Sequence, residues 1–129
     1  MNLQDQAEEF RSAYDVQNSP DNTAMQLRLI NEEFREFYSA HMDLANGADE
    51  KVPNQNAASA LKELADLVYV CFQYAENLEW DLQTAMERVH KSNMSKLGAD
   101  GKPVRRIDGK ILKGPDYKPP YLNDLCNPI

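Results

Sequence analysis

Two short acidic runs carry the residue types best suited to chemistry: Glu32-Glu33-Phe34-Arg35-Glu36 and Glu63-Leu64-Ala65-Asp66. Residues three or four apart share one face of an α-helix, so helices over both runs would set Glu33 beside Glu36 and Glu63 beside Asp66. Four carboxylates converging on one cleft repel one another, and divalent cations relieve that repulsion. An oxygen-only donor set, without His or Cys, selects Mg²⁺ or Mn²⁺ rather than zinc. Mg²⁺ held by few carboxylates keeps positions for water and phosphate oxygens, which is the chemistry of phosphate-anhydride hydrolysis. An acidic run of the first kind is also, by itself, a common solvated helix face. The second pair weighs against that reading. It opens onto Leu67–Phe72, the most apolar run in the chain, where ionised groups need partners.

A second constellation is Lys91, Asn93 and Lys96, at the end of a helical segment and followed by Arg105, Arg106, Lys110 and Lys113. Lysines in a last helical turn complement the helix dipole, and as point charges they also bind phosphates. The net charge of −7 is divided along the same line. Residues 1–90 carry 6 basic and 17 acidic side chains, and residues 91–129 carry 8 and 4. The acidic body excludes sequence-independent binding to duplex nucleic acid. With the basic segment beside it, the pattern fits a small polyanion held between cations and lysines.

The elements that must position these groups follow from hydrophobic spacing. A first helix is expected over 3–17, with Leu3, Ala7, Phe10 and Tyr14 at helical intervals. A second is expected over 22–44, with Leu27, Ile30, Phe34, Phe37, Tyr38 and His41 as its apolar stripe. Glu32, Glu33 and Glu36 fall on the other side, flanked by Met25, Leu29 and Ala40, so that side is expected to be covered. Ala45-Asn46-Gly47 suits a left-handed helix end, and 47–55 reads as a polar loop. The third helix, 56–77, is apolar all round in its second half, which marks a buried rod. The fourth, 81–96, has Asp81 as N-cap and stops at Gly98. Asp108-Gly109 signals a hairpin with a two-residue turn. The end, 114–129, is Pro-rich and extended.

The expected fold is therefore all-α, an antiparallel four-helix bundle over 1–98, with a hairpin and extended tail over 99–129. The tail would pack on the same domain or on a neighbouring subunit. A single chain would struggle to cover the third helix, so a homodimer or homotetramer is expected. Cys71 and Cys126 form no framework for disulfides or thiolate metal sites. No apolar run approaches the roughly 20 residues of a membrane span, and the polar N-terminus has no signal-peptide pattern. Cytoplasmic residence, with no membrane or nucleic-acid partner, is the expectation.

The two acidic runs, separated by 26 residues, together with the segment from Lys91 to Leu122, resemble the MazG-like all-α nucleoside triphosphate pyrophosphohydrolases, in particular small ones of bacteria and phages. Relatives of that family include phosphoribosyl-ATP pyrophosphohydrolase and the all-α dUTPases and dCTPases. The resemblance implies hydrolysis of a nucleoside triphosphate to the monophosphate and pyrophosphate, with two or more Mg²⁺ ions per site. Carried over by position, Glu33, Glu36, Glu63 and Asp66 would be metal ligands and Glu32 an accessory acid. Glu36 would orient the attacking water, and Lys91, Asn93 and Lys96 would meet the phosphates and the inner metal shell. The base would lie near Phe10, Tyr14 and Gln17, with Trp80 a more distant candidate. The tail points to a purine such as dGTP. Two other readings are weighed beside this one. Glu87 and His90 form one half of a di-iron pattern whose second half is missing. An acidic helical interaction module would bind no metal and release no pyrophosphate.

Overall fold

A computed structural model describes residues 1–46 and 53–128, the side chains of 53–55 excepted. Four α-helices dominate: α1 (Leu3–Ala13), α2 (Thr23–Ala45), α3 (Pro53–Asn77) and α4 (Leu82–Met94). Two short strands, β1 (Val104–Arg105) and β2 (Ile111–Leu112), pair antiparallel, and 3₁₀ turns cover Pro20–Asn22 and Asn123–Leu125. The all-α class with a small hairpin is thus observed. The chain forms two compact units, residues 1–80 and residues 81–128, so the division falls inside the span 1–98 expected to hold all four helices.

In the first unit α1 begins with a capping box. The Asn2 side chain accepts from the Asp5 amide, and the Asp5 carboxylate accepts from the Asn2 amide. The helix ends at Ala13 rather than at 17, because Asp15 adopts a left-handed φ of 52° and Val16 turns back to the Arg11 carbonyl. Its buried line is Ala7 and Arg11; Phe10 and Tyr14, the expected apolar positions, are 39% and 70% exposed. Arg11 is the hub of a polar clasp. Its guanidinium donates to Asn18 Oδ1 (2.6 Å), Gln73 Oε1 (3.1 Å), Asn77 Oδ1 (2.8 Å) and the Gln17 carbonyl (3.0 Å). Asn77, 1% exposed, also donates to the Ser19 carbonyl and accepts from the Ser19 amide. These bonds tie α1, the turn after it and the end of α3 into one piece.

Helices α2 and α3 pack side by side, with Ile30 near Leu67 and Glu33 near Glu63, which makes them antiparallel. The side of α2 that turns inward carries Gln26, Ile30, Glu33 and Phe37. Of the three acids only Glu33 lies on this inward side, beside Ile30 and Phe37 of the expected apolar stripe; Glu32, Glu36 and Met25 are exposed, so the side expected to be covered is covered only at Glu33 and its neighbours. Leu27, Phe34 and Tyr38, read as core, are 58%, 50% and 57% exposed. Helix α2 ends at Asn46 with φ −96°, not left-handed, and 47–52, most of the expected polar loop, lies outside the described residues. Helix α3 starts at Pro53, three residues before the expected 56. Burial raises the pKa of the Cys71 thiol, which keeps it protonated, and Cys126 is exposed.

In the second unit Asp81 caps α4 by accepting from the Thr84 amide (2.9 Å) and hydroxyl (2.7 Å). The helix stops at Met94 with Ser95 as its cap; Gly98 bonds onward to the Lys102 carbonyl instead of ending the helix. The hairpin loop has three residues, Ile107 to Gly109, rather than the expected two. Arg106 pairs with Lys110, and Gly109 takes the left-handed position at φ +91° that follows a type I turn. The chain then returns against the end of α4. Gly114 donates to the Lys96 carbonyl, and a Cβ there would collide with the carbonyl oxygens of Lys96 and Leu97. Only glycine allows that approach.

Candidate active site

Helix spacing and antiparallel packing bring three carboxylates together. One oxygen each from Glu33, Glu36 and Glu63 lies within 4.8 Å of the others. Glu33 and Glu63 are half-buried and Glu36 is exposed. Glu33 Oε2 and Glu63 Oε2 are both buried atoms with no hydrogen-bond partner. Burial pushes the Glu33 carboxyl above its usual range. The charge of Glu36 and a hydrogen bond to it act in the same direction, followed by the charges of Asp66 and Glu63. A carboxylate flanked by three others is an electrostatic deficit that a cation would fill. The donors are all oxygen, in keeping with a hard divalent ion.

Asp66 is not part of that triplet. Its Oδ2 accepts from Lys62 Nζ at 2.8 Å, with Lys62 also 3.8 Å from Glu63. The bond to Asp66, with the charges of Asp66 and Glu63, raises the Lys62 pKa. Lys62 was missed in reading the motif, although its i,i+4 spacing to Asp66 is visible in the sequence. It supplies the one positive charge that the acidic cleft holds among the described residues. Glu32 is exposed on α2 and takes no part in the triplet.

Near the first helix, the Phe10 and Tyr14 rings lie 4.7 Å apart at a tilt of 39°, and Phe10 meets Tyr69 edge-on at 5.7 Å. Gln17 is exposed, and its carbonyl accepts from both Arg11 and Asn22. Trp80 lies edge-on to Tyr74 at 5.9 Å, and its carbonyl accepts from Gln4. In the second unit the three residues read as phosphate binders separate. Lys91 lines a cleft beneath the tail, whereas Asn93 and Lys96 do not line it. On a helix Lys91 and Asn93 are about 200° apart, so they point away from each other. His90 is exposed.

Residues 3–93 match the family model of phosphoribosyl-ATP pyrophosphohydrolase. The chain belongs to that family. The match runs from the start of α1 almost to the end of α4 and includes both acidic runs; the hairpin and tail lie beyond it. No curated protein matches the chain significantly. Membership in a pyrophosphohydrolase family makes the chain a hydrolase of nucleotide chemistry, in line with its all-α fold. No helix among the described residues is long and apolar enough to cross a membrane.

Proposed function

We propose that this protein hydrolyses nucleoside triphosphates between the α and β phosphates, giving the monophosphate and pyrophosphate, with Mg²⁺ as the resident ion and Mn²⁺ as a substitute. The observation that carries the reading is the pair of buried, unpartnered carboxylate oxygens, Glu33 Oε2 and Glu63 Oε2, inside a three-carboxylate cluster. A buried carboxylate oxygen without a partner costs at least about 1–3 kcal/mol, so a site that keeps two of them is built for an occupant. Glu33, Glu36 and Glu63 would hold the ion. When bound, Mg²⁺ supplies Lewis-acid polarisation of a phosphoryl oxygen and a more acidic water.

The chain's own residues do the rest. Glu36, the exposed member of the triplet, accepts a proton from the incoming water. Asp66 becomes available as a ligand when Lys62 swings from it to a substrate phosphate, a motion open to an exposed lysine side chain. Glu32 adds negative potential at the rim. Asn93 and Lys96 bind phosphate oxygens as the leaving pyrophosphate gains charge. Lys91 lines the cleft beneath the tail, which Asn93 and Lys96 do not. Phe10 and Tyr14 offer ring faces to the base, with Gln17 at its edge; a purine such as dGTP is the favoured substrate.

The family match favours a second reading in which phosphoribosyl-ATP is the substrate of the same cluster. A panel of ribo- and deoxynucleoside triphosphates and phosphoribosyl-ATP, each with Mg²⁺, separates the two. Turnover of triphosphates to monophosphate and pyrophosphate is expected. Diphosphate plus phosphate would overturn the reaction type, and turnover of phosphoribosyl-ATP alone would overturn the substrate.

We also infer a homodimer or homotetramer. Only Ala7, Ala60, Phe72, Ala75 and Leu78 are buried hydrophobics among the described residues, while Leu27, Phe34, Leu61 and Leu64 stay 40–67% exposed on α2 and α3. A helix pair this apolar needs a second apolar surface. Sedimentation at micromolar concentration is expected to give twice or four times the 14.7 kDa chain mass; a monomer would overturn the inference.

A further inference from the structure

The tail after the hairpin is held on α4 by its main-chain atoms and by the Asp124 side chain. Ser92 Oγ donates to the Lys118 carbonyl (2.7 Å), and the Lys118 amide donates to Ser95 Oγ (2.9 Å). Arg88 donates to the Tyr121 carbonyl (3.0 Å) and clamps Asp124 with two bonds, of 2.6 and 3.1 Å. The Asp81 amide donates to the Leu125 carbonyl (2.9 Å). Lys118 and Tyr121 thus give their backbones to the attachment, and both residues are exposed. The Tyr121 ring is 65% exposed. Pro119 and Pro120 lie between them, and their rings fix φ along the wall.

Between α4 and this segment lies a cleft of about 430 Å³, lined by Lys91, Ser92, Ser95, Lys118, Pro119 and Tyr121 among others. That is within the usual size of small-molecule sites, roughly 300–1,000 Å³. Its charges are uneven. Arg88 and Asp124 neutralise each other, whereas Lys91 and Lys118 have no carboxylate within 4 Å among the described residues. Both lysines line the cleft together with Pro119, Pro120 and Tyr121. Lysines recognise phosphate as point charges, and an exposed tyrosine ring stacks on a planar base. The wall is already stitched in place, so a ligand would lose little ordering entropy to it.

We propose that this cleft binds a nucleoside monophosphate, with the phosphate at Lys91 and Lys118 and the base on Tyr121, as a second nucleotide site that needs no divalent cation. The site is built from residues 81–128 alone and does not depend on the hydrolytic reading of the acidic cluster. Its tail wall, residues 118–124, lies beyond the stretch that matches the family.

The test is titration of the full chain in EDTA with GMP and, separately, with inorganic phosphate, followed by calorimetry and by amide chemical shifts. EDTA keeps divalent ions from the acidic cluster, so that binding there through a cation does not contribute. Saturable GMP binding is expected, with shifts at Ser92, Ser95 and Lys118. Lys118→Ala should weaken both ligands, GMP by about tenfold. Tyr121→Ala should weaken GMP by about tenfold and leave inorganic phosphate unchanged. Neither side chain holds the tail, so both variants should keep the wild-type fold; if Lys118→Ala does not, Lys118→Gln replaces it. Absence of GMP saturation, GMP binding no tighter than phosphate, or wild-type affinity in both variants would overturn the proposal.

Discussion

Replacing Glu63 with glutamine is expected to reduce triphosphate turnover by at least about 100-fold, the scale of losing one preorganised charge at a phosphoryl-transfer site, while the fold is kept. The substitution preserves side-chain shape and removes one of the two buried carboxylate oxygens that lack a partner. It also removes one of the negative charges that lift the Glu33 pKa. The variant should therefore melt no lower than wild type in metal-free buffer. Steady-state rates with saturating Mg²⁺ check the first half, and circular dichroism melts check the second. Wild-type turnover in the variant would remove Glu63 from the metal-binding set.

The largest effect on stability is expected at Arg11. Replacing it with methionine keeps much of the apolar stem but leaves Gln73 Oε1 without the guanidinium donor and Asn18 and Asn77 each one bond short. Asn77 and Gln73 are 1% and 6% exposed, so water cannot readily take the place of the guanidinium. Leaving such acceptors unmet, together with the loss of a buried charge-assisted network, costs about 3 kcal/mol. For a unit of this size that lowers the melting temperature by roughly 10 °C or more. Chemical denaturation of Arg11→Met gives the value directly. A loss below about 1 kcal/mol, the worth of an ordinary hydrogen bond, would show that the clasp is not what holds α1 to α3.

These two sites differ in how far the sequence revealed them. The acidic runs are spaced at helical intervals, and the apolar flanks of Glu33 imply a covered face, so their convergence was legible before any coordinates. The fourth acid, Asp66, lies outside the triplet. Lys62 takes it up, and a lysine four residues from an acid passes for ordinary surface pairing. Arg11 was illegible for a different reason. Hydrophobic spacing drew the eye to Phe10 and Tyr14, yet the buried line of α1 passes through Ala7 and a charged residue. Periodicity assumes that apolar means inside, and a guanidinium saturated by three side-chain amides and a carbonyl breaks that assumption. The stripe of Leu27, Phe34 and Tyr38 is the converse case: apolar residues at helical spacing that are half or more exposed among the described residues. The hairpin was found from Asp108-Gly109, but loop length depends on which residues pair across it, and Arg106 with Lys110 selects three residues over two.

The acidic cluster also makes the metal-free protein sensitive to pH in a definite direction. The folded-state pKa of Glu33 is raised, so the folded state binds more protons than the unfolded state once pH exceeds the ordinary carboxylate range of about 4.3–4.5. Stability therefore falls as pH rises from there through the raised folded-state pKa, and the loss persists at neutral pH. A bound divalent cation reverses it by favouring the charged form. The measurement that bears most directly on the cluster is thermal melting at neutral pH with and without Mg²⁺. Binding to the folded state alone adds about 2.7 kcal/mol when the ion is at 100 times its dissociation constant. A clear rise in melting temperature is expected for the wild type and its loss for Glu63→Gln; a wild-type curve unchanged by saturating Mg²⁺ would contradict a metal site at Glu33, Glu36 and Glu63.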